Sequence, residues 1–110
     1  MLNFQQSTKR FPYVYMSVEK KTNRFYIGYR YRNWLPSSED FGKIYFTSNN
    51  YVKENFDNFD HYIIAEFFDK NSVRKFETEL IRETKSDLQI NRDRIKKLPG
   101  KKKTHTKYPI

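Results

Sequence analysis

The stretch from Phe11 to about Arg32 constrains the fold more than any other part of the chain. Two runs that alternate apolar and polar residues flank a polar segment, Glu19-Lys20-Lys21-Thr22-Asn23. A period of two is the pattern of half-buried strands, so the segment reads as an antiparallel hairpin. If Glu19 and Arg24 close the turn, Val18 faces Phe25, Met16 faces Ile27 and Val14 faces Tyr29, forming one apolar face. The opposite face carries Tyr13, Tyr15 and Ser17 with Tyr26, Gly28 and Arg30. Tyr15 falls opposite Gly28, whose missing side chain leaves open space beside the ring. Tyr26 is its diagonal neighbour. Two phenols, a gap and a guanidinium on one face are the parts of a phosphate site.

Beyond the hairpin, Leu35-Pro36-Ser37-Ser38-Glu39-Asp40 reads as a loop. Lys43 to Thr47 is a strand fragment or a packed loop, and Ser48 to Asn55 a short helix capped by Ser48 or Asn49. The near-continuous apolar run from His61 to Phe68 suits a third strand buried on both faces. Asn71 or Ser72 caps the clearest helix, which runs to about Thr84 or Lys85. Leu88 to Asn91 reads as a short extended piece. The expected class is α+β: a small three-stranded antiparallel sheet flanked by helices.

At 110 residues the chain holds one domain. With ten Phe, nine Tyr and one Trp its core is largely aromatic. The absence of cysteine excludes disulfides, thiol catalysis and cysteine-held zinc. His61 and His105 lie too far apart in sequence to suggest a metal cluster. No signal peptide or membrane span is visible, so an intracellular, cytoplasmic protein with no membrane partner is expected. The net charge of +9 is concentrated at one end. Arg92 to Ile110 holds eight basic residues and one acidic residue, against fourteen and twelve in the preceding 91. The expected organisation is a flexible leader over 1–10, a domain over 11–95 and a basic tail over 96–110. Lys96, Lys97, Lys101, Lys102 and Lys103 of that tail are candidate nucleic-acid contacts, weighed against a solubilising end.

Glu77 stands out on the helix. At about 100° per residue it falls inside the apolar stripe of Val73, Phe76, Leu80 and Ile81, whereas Glu79 and Arg82 fall on the solvent side. A carboxylate there must be paired or bind a metal. Read alone, a structural role, as a pair with an arginine or a carboxylate at the edge of the stripe, explains it as well as a metal does.

Tyr13-Val14-Tyr15 and Tyr26-Ile27-Gly28 resemble the two motifs of the GIY-YIG nuclease family. The second matches letter for letter, while the first has Tyr13 where the family usually has glycine. The spacing of Tyr15 and Tyr26, Glu77 followed by Leu80-Ile81, and Asn91 extend the likeness over roughly Pro12 to Asn91. The resemblance implies a divalent-metal-dependent DNA endonuclease of the phage or mobile-element type, for which homing endonuclease is a common role. It implies Mg2+ or Mn2+ held by Glu77, with Tyr15 positioning or deprotonating water and Tyr26 orienting the phosphate. Asn91 would tie the C-terminal segment to the site. The family arginine usually lies on a helix about eight residues beyond the glycine, where this chain has Pro36. Arg30, or else Arg32, takes its place here. Double-stranded DNA is the implied substrate, with a protein partner or oligomer supplying selectivity. The alternatives are a nucleic-acid-binding protein of the same fold without turnover, and a basic RNA-binding protein with stacking aromatics.

Overall fold

The hairpin forms in the expected register. In the computed structural model, which describes residues 11–91, β1 (Tyr13–Glu19) and β2 (Phe25–Arg30) pair antiparallel. Val18 faces Phe25, Met16 faces Ile27 and Tyr15 faces Gly28. Glu19 N–H donates to the Arg24 carbonyl at 2.7 Å and closes the turn. Asn23 takes the left-handed conformation (φ 66°) that asparagine tolerates better than most residues. The leader over 1–10 and the tail residues Lys96, Lys97, Lys101, Lys102 and Lys103 lie outside the described residues.

β3 (Phe59–Glu66) pairs antiparallel with the other side of β1, giving the order β2-β1-β3. It is therefore an edge strand, and the expectation of burial on both faces is corrected. Tyr62, Ile63 and Ile64 are 51%, 38% and 40% exposed. A register shift explains the unbroken apolar run. Val14 pairs with Ala65 but Tyr15 with Ile63, so Ile64 is an extra residue in a bulge and the alternation reverses there.

Among the described residues three helices follow, α1 (Ser37–Asp40), α2 (Asn50–Glu54) and α3 (Lys70–Glu83), with a 3-10 turn over Phe56–Asn58. The piece expected to be extended over Leu88 to Asn91 is instead a turn and a bridge, with Ile90 and Asn91 helical. Asn49 caps α2 by accepting from Val52 N–H at 3.0 Å. The cap of α3 is Asp69, whose side chain accepts from Ser72 N–H at 2.7 Å, and not Asn71 or Ser72. Nor is the segment after Pro36 wholly loop. The missing N–H of proline costs nothing at a helix start, and one turn follows it.

The two faces of the hairpin belong to two cores. Val14 and Ile27 pack with Val73 of α3, flanked by Phe25, Phe76 and Leu80. Tyr13, Tyr15 and Tyr26 pack with Val52, Phe59 and Ile90, and Phe41 and Tyr45 close over them. The result is the expected α+β arrangement, with α3 on one face and the segment from α1 to α2 on the other. Among the described residues no helix is long and apolar enough to cross a membrane.

Candidate active site

The tyrosine face is roofed over rather than open. Tyr15 has no exposed surface, and its ring centroid lies 4.4 Å from that of Phe41 and 6.2 Å from that of Tyr26. The space expected beside Gly28 is filled by Tyr15 itself. A Cβ added at Gly28 would stand 2.4 Å from the Tyr15 hydroxyl oxygen. That hydroxyl bonds to Thr47 Oγ1 at 2.8 Å and to the Tyr45 hydroxyl at 3.3 Å. Burial pushes the Tyr15 phenol well above its ordinary range, with Tyr26 and Tyr45 adding to the effect. This is the direction away from a phenolate base. Thr47, the partner of the phenol, has φ 87°, a costly conformation for a β-branched residue.

Arg30 is held by a carboxylate that the sequence pattern did not single out. Its Nε donates to Asp40 Oδ2 at 3.0 Å and its Nη2 to Oδ1 at 3.3 Å, a two-pronged pair. The Tyr13 hydroxyl donates to Asp40 Oδ2 at 2.6 Å, and Asp40 is fully buried. The sequence signal was available: proline, two serines and two acids in succession mark a helix start. The Arg30 guanidinium also lies 4.4 Å from the centre of the Tyr45 ring. Arg32 is exposed, and its Nε donates to the Tyr31 hydroxyl at 3.1 Å.

The edge of β2 that faces away from β1 carries further candidates. From Phe25 to Ile27 it is covered by the chain after α3. Phe25 N–H donates to the Leu88 carbonyl at 2.9 Å, and Gln89 bridges to Phe25. Asn91 Oδ1 accepts from Ile27 N–H at 2.9 Å, and its Nδ2 donates to the Ile27 carbonyl at 2.8 Å. One side chain thus replaces a strand partner. Further along, Tyr29, Arg30, Tyr31, Arg32, Tyr45 and Ser48 line a groove. The Tyr26 hydroxyl reaches Ser48 Oγ at 3.3 Å.

α3 runs antiparallel to β2. Lys70 Nζ lies 4.4 Å from the centre of the Tyr31 ring, and Gln89 Nε2, beside Phe25, donates to the Ile81 carbonyl at 2.9 Å. A helix rises about 1.5 Å per residue and a strand about 3.3 Å, so Glu77 stands level with Ile27 and Gly28. On the helix it lies on the side of Lys70 and Ile81, the β2 side. Phe76 meets Phe67 on the β3 side, with ring centroids 5.1 Å apart. Glu77 is half-buried and Glu79 is exposed, as the stripe requires. Along this edge of β2 lie Tyr26, Arg30, Arg32 and Asn91, whereas Glu77 is carried by α3, which packs on the opposite face of the sheet from Tyr26 and Arg30. Tyr15 sits one strand further in.

The donor set suits one kind of cation. Among the described residues no three His, Cys, Asp or Glu side chains cluster. A hard cation such as Mg2+ needs no such cage. One carboxylate, waters and a substrate phosphate suffice, and Glu77 can supply the carboxylate. Comparison with protein-family models, with curated proteins and with solved structures finds no match for this chain.

Proposed function

We propose that the chain is a divalent-metal-dependent endonuclease that hydrolyses phosphodiester bonds of double-stranded DNA at the edge of β2 that faces away from β1. The observation that carries this reading is the groove at that edge, lined by Arg30, Arg32, Tyr45 and Ser48, with the Tyr26 hydroxyl reaching Ser48. Arg32 is the exposed guanidinium for a phosphate, since Arg30 already shares its charge with Asp40. Asp40 holds Arg30 in one orientation, so its position costs little when substrate arrives. Ser48, exposed at the groove, links it to Tyr26. Tyr15 acts as a positioning residue through Tyr45 and Thr47, because its own hydroxyl is sealed from water. Mg2+ or Mn2+ bound at Glu77 would polarise the phosphate and stabilise the leaving oxygen. The test is nicking of supercoiled plasmid by the full chain with Mg2+, with Mn2+ and with EDTA. Conversion to open circles that depends on the metal is expected, and intact plasmid in every condition would overturn the reading.

A second reading is a nucleic-acid-binding protein without turnover. Two observations favour it: the Tyr15 phenol is buried and driven toward its protonated form, and Arg30 is paired with a buried carboxylate. Retention of the plasmid in a gel-shift assay with no nicking would select it.

A further inference from the structure

Two cations converge on one partly exposed phenol where the chain leaves β2, and the only tryptophan follows close behind. Arg32 bonds to the Tyr31 hydroxyl, and its guanidinium lies 5.3 Å from the centre of that ring. Lys70 Nζ reaches the same ring at 4.4 Å from the first turn of α3. Among the described residues neither cation is ion-paired with a carboxylate. Hydrogen bonding to Arg32 first, and then to Lys70, holds the Tyr31 phenol below its ordinary value. Tyr31, Arg32, Asn33 and Trp34 line a groove, and Trp34 is 75% exposed at its rim.

The loop that presents Trp34 is fixed. Asn33 is buried, and its Nδ2 donates to the Phe11 carbonyl at 3.1 Å and to the Leu35 carbonyl at 2.9 Å. Its Oδ1 is the one buried side-chain polar atom without a partner among the described residues. Buried acceptors are nearly always satisfied, so one left over beside a groove points to a donor from outside. An exposed indole on a rigid loop, two unpaired cations and a spare acceptor match the parts of a single nucleotide: a base face, a phosphate and a base N–H.

We propose that Trp34, Arg32, Lys70 and Asn33 form a subsite for an unpaired nucleotide, with the base stacked on Trp34 and the phosphate between Arg32 and Lys70. The subsite rests on the nucleic-acid partner of the proposed function. It adds that the chain grips a single-stranded or extruded nucleotide beside the cleavage groove. A base within a duplex cannot offer its face to an indole without leaving the stack.

Trp34 reports its own occupancy, because the chain has one tryptophan. The full chain in EDTA is titrated with a short oligothymidylate, with an abasic oligomer of the same backbone, and with a blunt duplex, while indole fluorescence is followed. Quenching by the oligothymidylate alone is expected. Arg32→Gln/Lys70→Gln should lower the slope of log K against log salt by roughly 0.7 per cation removed. Trp34→Ala should weaken binding of a labelled oligothymidylate roughly tenfold and leave the abasic oligomer unaffected. Equal quenching by the abasic oligomer or the duplex would overturn the proposal, as would an unchanged salt slope. The titration involves no cleavage, so its result is independent of plasmid nicking.

Discussion

Gly28 is required by Tyr15 rather than by its own backbone, since the ring occupies the place of any Cβ. Gly28→Ala should therefore destabilise the fold by about 1–3 kcal/mol or more, read as a lower denaturant midpoint. A second residue-scale device is His61. Its Nδ1 lies 2.7 Å from Ser17 Oγ and its Nε2 2.8 Å from the Phe56 carbonyl oxygen. Nε2–H must donate to that carbonyl, so Nδ1 is the bare acceptor of the serine proton. Burial is the largest influence on this imidazole and lowers its pKa. The unfolded chain then binds more protons than the native one below about pH 6.5. The contribution is present above that pH and is lost as pH falls toward the depressed native value. His61→Gln should flatten this acid limb of stability, measured as denaturant midpoint against pH, and an unchanged limb would remove His61 from the explanation.

At the scale of elements, two side chains fasten the site. Asp40 ties the single turn of α1 to β1 and β2 through Tyr13 and Arg30. Asp40→Ala leaves Arg30 facing a partly buried site unpaired and should cost about 3–5 kcal/mol in denaturant unfolding. Asn91→Ala strips the Ile27 N–H and carbonyl of their partners at a buried position, and should cost about 2–4 kcal/mol. The hairpin register was legible because period-two alternation and a polar turn fix pairing unambiguously. The stripe on α3 was legible for the same reason, at a period of 3.6. β3 was misread because a bulge and an edge position turn an apolar run outward, and neither leaves a mark on composition. The roof over the tyrosines was illegible, since Phe41, Tyr45 and Thr47 reach Tyr15 by tertiary contact from an irregular segment.

At the scale of the molecule, most of the charge and the candidate site are separate in the sequence. The described domain carries the candidate site, and most of the net charge lies in residues 92–110. Deleting Lys96 to Ile110 removes six lysines and no acid. DNA binding should weaken for all sequences alike, with the salt slope falling by roughly 0.9 for each phosphate the tail neutralises. Turnover at saturating DNA should survive. The central claim is that Glu77 of α3 is the working carboxylate. The most direct measurement is plasmid nicking in Mg2+ by Glu77→Gln beside Glu79→Gln, with DNA affinity measured for both. The expected result is that Glu77→Gln binds DNA but does not nick, while Glu79→Gln nicks like the parent chain. Full activity in Glu77→Gln, or loss confined to Glu79→Gln, would contradict it.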